Sequence, residues 1–245
     1  MSTLPRLPQK SDFPSSITLD IIPPQTGSPV NILILLHGLG DIQAPFTTLG
    51  KQLNLPETAC ISIRGLNPIP ALFTGSDDPA FHWGDDVVFD EGKGEISLDA
   101  GFESSVKAIK GMVVEEVLIG KCGYTPRNIL FYGFGQGGMA AFFIAACDLE
   151  FGGVVSVGGR LSSSALSATG LFKTPVLLCG GSRSTEITRS AVDNLKNKFT
   201  HAEYVRWEKS DDSMPRSRDE MLPIMKFFAR RLKSRAGVPE GAVEV

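Results

Sequence analysis

Short, unbroken apolar runs recur along the chain, separated by stretches of helical spacing. Asn31–His37 reads NILILLH, without the alternation of a half-buried strand, and predicts a strand covered on both faces. Ala59–Arg64, Asn128–Gly133, Gly153–Val157 and Pro175–Cys179 repeat the pattern; Tyr204–Trp207 is weaker, and Ile17–Ile22 reads as an edge strand. Phe102, Val106, Ile109, Val113 and Val117 recur at three- and four-residue steps behind Ser97 and Asp99, two residue types suited to N-caps. They predict a helix that stops near Gly120 or Gly123. Met139–Ala146, Thr188–Phe199 and Arg218–Lys233 read as further helices. This alternation predicts an α/β fold, a mainly parallel central sheet with helices on both faces. One domain over 16–235 is expected, flanked by flexible tails at 1–15 and 236–245.

Composition narrows the function classes. The 245 residues, 42% of them hydrophobic, suffice for a sizeable core. With 24 basic against 27 acidic residues, a net charge of −3 offers no attraction for nucleic acid or anionic lipid. No apolar run approaches the roughly 18–20 residues of a membrane span, and residues 1–16 lack the apolar stretch of a secretory signal. A cytoplasmic protein is therefore expected. Cys60, Cys122, Cys147 and Cys179 lie far apart with no CxxC pairing, and the histidines are only His37, His82 and His201. Reduced thiols and no metal or cofactor are expected.

In such sheets ligands collect at the carboxyl ends of the strands, and two loops there carry a pattern. One is His37-Gly38-Leu39-Gly40-Asp41. The other is Gly133-Phe134-Gly135-Gln136-Gly137-Gly138, literally the G-x-G-x-x-G of a dinucleotide site, with Arg160 beyond as a possible 2′-phosphate partner. The acidic ribose partner that such a site places about 20 residues on is absent. An NAD(P)-binding reading of Gly133–Gly138 is kept as an alternative.

Taken together, HGLGD and GF-x-QGG resemble the acyl-protein thioesterase, carboxylesterase and lysophospholipase group of α/β-hydrolases. The resemblance runs from about Asn31 to Leu232 and takes in Trp83 and Glu220-Met221. It implies an α/β-hydrolase fold in which a strand enters a sharp elbow with a nucleophilic serine at its apex. It also implies an oxyanion hole of two backbone N–H groups, falling here on Leu39 and Gln136, and a histidine and an acid to complete the triad. This chain departs from the pattern at all three triad positions. The apex is Gly135, the acid position is Ser184, and the histidine position is Met214. An oxyanion hole alone leaves a residual acceleration of about 10³–10⁴ over water.

His37 precedes the apex in the chain, the wrong order for a base in this fold, and is expected to hold its own loop. His37, Gly38, His82 and Trp83 are pocket candidates; for His82 and Trp83, ligand contact and plain loop packing are both open. Asp77, Asp78, Asp85 and Asp86 are expected as a solvated acidic loop rather than a cation site. Ser182 and Ser184 have no base beside them, Cys179 ends a buried strand, and Arg160 is placed at the crevice rim. Gly65–Asp86 is expected to wall a groove. The leading expectation is a catalytically inactive relative that binds a small hydrophobic or acyl ligand, or a protein partner. The alternative is an active carboxylic-ester or thioester hydrolase using other residues.

Overall fold

The computed structural model describes residues 5–25, 27–92 and 94–235. In chain order they form β1 (Leu19–Ile22), β2 (Asn31–Leu36), α1 (Gln43–Leu53), β3 (Thr58–Ile63), β4 (Asn67–Pro68), α2 (Ala71–Thr74), β5 (Phe81–His82), β6 (Phe89–Asp90) and β7 (Glu95–Ile96). Then come α3 (Glu103–Val106), which continues as a π-helix (Lys107–Lys121), β8 (Ile129–Phe134), α4 (Gln136–Ala145), β9 (Gly153–Val157), α5 (Ser163–Ser167), β10 (Val176–Gly180), α6 (Arg189–Lys198), β11 (Ala202–Arg206) and α7 (Arg218–Arg231).

Seven strands build one sheet in the order β1-β3-β2-β8-β9-β10-β11. Only β1 runs antiparallel, pairing Leu19 with Ile63 on β3. The chain leaves β2 for β3 on one side and returns to β8 on the other, so the connection order reverses between β2 and β8. Leu36 of β2 lies opposite Gly133 of β8, which puts both glycine loops side by side at this switch point, where open α/β sheets bind ligands.

Side chains alternate across the strands with period two. Ile32, Ile34, Leu36 and Phe131 join the layer under α4 and the π-helix, while Leu33, Leu35, Leu130 and Tyr132 join the layer under α1 and α7. Every residue of β2 and β3 is buried, the reason those runs do not alternate in the sequence. Ser217 caps α7 by accepting from the Glu220 N–H, and Thr188 caps α6 by accepting from the Ala191 N–H. No described helix is long and apolar enough to cross a membrane.

Three sequence-based expectations change. The long helix starts at Glu103, and its first N–H groups are not capped by Ser97 or Asp99. Asp85 caps it instead, accepting from the Glu103 N–H at 2.9 Å and the Ser104 N–H at 2.8 Å. Partial burial opposes the Asp85 charge, but the hydrogen bonds from residues 103 and 104 prevail and hold the carboxyl down at about 2. Asp85 is thus a structural cap and not simply part of a solvated acidic loop. The helix ends as expected, with Gly123 at φ 80° just beyond it.

Residues 5–15 are also not a loose tail. Arg6 donates to both carboxylate oxygens of Asp12 at 2.8 Å, the Arg6 N–H donates to the Cys122 carbonyl at 3.0 Å, and Phe13 is buried in the main core. Leu7 and Phe13 supply the apolar contact that a Pro- and Ser-rich composition concealed. Residues 236–245, expected as a second tail, lie outside the described residues. Last, α1 had no counterpart in the sequence pattern. Pro45, two threonines and Gly50 break its periodicity, yet Gly50 is what lets it settle on the sheet. A Cβ there would come within 3.0 Å of Cys60 Cβ and 3.1 Å of Leu35 Cδ1.

Candidate functional site

β8 delivers the chain into a one-residue reversal at Gly135, with φ 50° and ψ −119°, and α4 begins at the next residue. The Gly135 N–H donates to the Val157 carbonyl at 2.8 Å, and its own carbonyl accepts from Gly138 and Met139 at 3.0 and 3.1 Å. The surrounding glycines are required by close packing. A Cβ at Gly133 would strike the Gly137 carbonyl, one at Gly137 would strike the Leu36 and His37 carbonyls, and one at Gly138 would strike Ser156 Oγ. The G-x-G-x-x-G pattern is therefore explained by the contact between β8, α4 and the loop after β2. A dinucleotide cradle is not needed to account for it. Gly135 differs, because nothing lies within 4 Å of where its Cβ would be. Its glycine answers to the positive φ and not to lack of space.

The loop after β2 is held by His37. Its Nε2 accepts from the Gly65 N–H at 2.7 Å, which places the proton on Nδ1, and Nδ1–H donates to the Gly38 carbonyl at 2.7 Å. Burial pushes the His37 pKa down, so the ring is neutral and both nitrogens are committed to backbone. The Trp83 indole N–H donates to the His37 carbonyl at 2.8 Å. The Trp83 backbone N–H donates to Gln136 Oε1 at 2.8 Å, and Gln136 Nε2 donates to the Leu98 carbonyl at 3.2 Å. Gly38 packs on the Phe134 ring. The pocket candidates His37, Gly38, His82 and Trp83 are all buried, so they form the frame beneath the crevice.

Two backbone donors remain over this frame. Neither the Leu39 nor the Gln136 backbone N–H finds an acceptor among the described residues. Gln136 follows the Gly135 apex directly, and Leu39 lies in the loop after β2, the strand that pairs with β8.

The segments that hold Ser184 and Met214 are tied together through Asp212. Ser184 Oγ donates to Asp212 Oδ2 at 2.6 Å and accepts from the Ile187 N–H at 2.7 Å. Asp212 Oδ1 accepts from the Gly181 N–H at 2.8 Å. Met214 is half-buried, and its sulfur accepts from the Tyr132 hydroxyl at 3.5 Å. Asp212 was missed in the sequence. It lies two residues before Met214, and only its place between two loops distant in sequence reveals its partner. Lys209 fixes this segment, donating to the Ser213 carbonyl at 2.6 Å, the Met214 carbonyl at 3.0 Å and Glu220 at 3.1 Å.

The other candidates are occupied or displaced. Ser182 Oγ faces the Glu208 and Lys209 carbonyls at 3.0 and 3.1 Å. Burial pushes the Cys179 thiol up to about 12, keeping it protonated. His201 immediately precedes β11, at the end of the parallel strands opposite the elbow. Arg160 bridges Asp99 at 3.0 Å and Glu186 at 3.1 Å, so carboxylates engage the charge that a dinucleotide phosphate would need. Cavities of about 290 and 420 Å³ open elsewhere, one beside Pro23 and Pro24 and one between α1 and α7. Neither is lined by the elbow.

The family model described as Phospholipase/Carboxylesterase matches residues 19–232. An uncharacterized hydrolase of Schizosaccharomyces pombe is 30% identical over 208 residues, spanning 82% of this chain and 83% of that protein. An uncharacterized hydrolase of Mycosarcoma maydis is 28% identical over 224 residues, spanning 87% and 80%. Among solved structures, Zea mays acyl-protein thioesterase 2 superposes with a TM-score of 0.64 at 18% identity, over 88% of this chain and 99% of that one.

Proposed function

We propose that this chain, which belongs to the phospholipase/carboxylesterase family, binds a ligand at its elbow without hydrolysing it. The ligand class is a small hydrophobic or acyl compound that presents a carbonyl or carboxylate oxygen, or a protein partner. The observation that carries this reading is the apex itself. Gly135 holds the reversed backbone of an elbow with no side chain on it, beneath the unspent Leu39 and Gln136 N–H donors. Ester hydrolysis of this kind needs a nucleophile, a base that takes its proton and a group that orients the base. At this site the nearby histidine gives both nitrogens to backbone, and the acid and base segments are tied together by a hydroxyl and a carboxylate.

Two measurements on the purified chain test the proposal. Turnover of p-nitrophenyl butyrate is expected at no more than the residual level of about 10³–10⁴ over water that an oxyanion hole supplies, and it should survive substitution of Ser182, Ser184 and Cys179. Native mass spectrometry of gently purified protein should show a retained small molecule or partner. Efficient turnover abolished by one of those substitutions would refute the reading.

A further inference from the structure

The excursion between β3 and the long helix carries an exposed apolar surface. Among the described residues, six large hydrophobic side chains are exposed, and four of them lie here. Leu72 is 89% exposed, Phe73 41%, Val88 46% and Phe89 47%. The Phe73 and Phe89 rings lie 6.5 Å apart, joining α2 to the β6–β7 hairpin. Apolar side chains gathered on the outside in this way mark a contact surface rather than a core.

Its charge is lopsided. Residues 65–101 hold eight carboxylates and one basic residue, Lys93, a net of −7 in a chain whose total is −3. The rest of the chain therefore sums to +4. Asp85 is spent capping the long helix and Asp99 holds Arg160. Asp77, Asp78, Asp86, Glu91 and Glu95 remain exposed on the same excursion as the aromatics.

We propose that this excursion docks a cationic amphipathic segment of another protein, whose apolar face covers Phe73 and Phe89 and whose Lys or Arg residues meet the carboxylates. A purely apolar or acidic partner would place these carboxylates against uncompensated surface, and an anionic lipid surface would be repelled. A basic amphipathic helix matches both properties. Docking there reaches the elbow through the frame. The Gly40 N–H donates to the Phe81 carbonyl at 2.9 Å, and the Trp83 N–H donates to Gln136. The inference stands whether or not the elbow hydrolyses esters, so the two proposals fail separately.

The test is fluorescence anisotropy of a labelled Leu/Lys amphipathic helical peptide and of its Leu/Glu counterpart, with the full chain. The Leu/Lys peptide is expected to bind in the micromolar range, more weakly as salt rises, and the Leu/Glu peptide not at all. Phe73→Ser with Phe89→Ser should weaken binding by at least about tenfold. Asp77→Asn, Asp78→Asn and Asp86→Asn together should weaken it and flatten its salt dependence. Because these side chains are exposed, both variants should keep the parent melting temperature. No binding by the parent chain, or equal binding by the Phe73/Phe89 variant, would overturn the proposal. So would capture by phosphatidylcholine vesicles that is lost with the aromatics but indifferent to the carboxylates, which would assign the surface to lipid instead.

Discussion

Replacing Gly135 by serine restores the side chain that an elbow of this fold carries at its apex, and its cost can be worked out from the backbone. At φ 50° and ψ −119°, a residue with a Cβ is strained, whereas glycine is not. Nothing lies within 4 Å of the added Cβ, so no steric clash adds to the strain. Strain of this kind costs about 1–3 kcal/mol, and the stiffer unfolded chain of a non-glycine residue returns about 0.4–1 kcal/mol. At mid-range the expected net loss is about 1.3 kcal/mol. For a chain of this size that lowers the melting temperature by about 3–5 °C, read by circular dichroism or differential scanning fluorimetry. Gly40→Ala is the matched control outside the elbow, with φ 82° and equally open space, and should fall in the same range. Gly133→Ser, where a Cβ meets the Gly137 carbonyl, should lose far more. An unchanged or raised melting temperature for Gly135→Ser would show that position 135 is not a strained apex, and the assignment of the elbow would fail with it.

Other consequences are as concrete. Gly111→Ala, inside the π-helix with open space and no positive φ, should stabilise the chain by about 0.5–1 kcal/mol in urea denaturation. Asp85→Ala removes the cap on Glu103 and Ser104 and should cost about 0.5–2 kcal/mol in the same assay, with amide exchange rising first at residues 103–106. His37 and His82 are held below their ordinary pKa by burial. The unfolded chain therefore takes up protons near pH 6.5 that the folded chain refuses. Stability should be full above about pH 6.5 and decline as pH falls below it. A urea midpoint equal at pH 7.5 and 5.5 would contradict that. Gly135→Ser combined with Ser184→Asp and Met214→His should gain ester turnover only when Asp212→Asn is added. Without that change, two carboxylates would stand where Ser184 Oγ and Asp212 Oδ2 are now 2.6 Å apart.

The central sheet was legible in the sequence because β2, β3 and β8 are buried on both faces and so read as solid apolar runs. The elbow was legible for a different reason: close packing demands glycine at 133, 137 and 138, and a positive φ favours it at 135. What escaped notice depends on partners far away in the chain. Asp85 caps a helix that begins 18 residues later, and no local capping rule reaches that far. The Ser184–Asp212 contact joins two loops separated by all of α6 and β11. α1 was hidden because its close approach to the sheet demands Gly50, a residue that lowers helical propensity. The N-terminal segment was misjudged because composition averages away the two residues that matter, Leu7 and Phe13.

Intact-mass spectrometry after incubation with excess fluorophosphonate, a reagent that bonds covalently to activated serine or cysteine, tests the proposed lack of a nucleophile at this elbow most directly. The protein should return at its unmodified mass, since Ser182 and Ser184 are hydrogen-bonded with no imidazole beside them and Cys179 is held as a buried thiol. A stoichiometric adduct that maps by peptide digestion to a residue lining the Gly135 crevice would contradict the account and identify the group that performs hydrolysis.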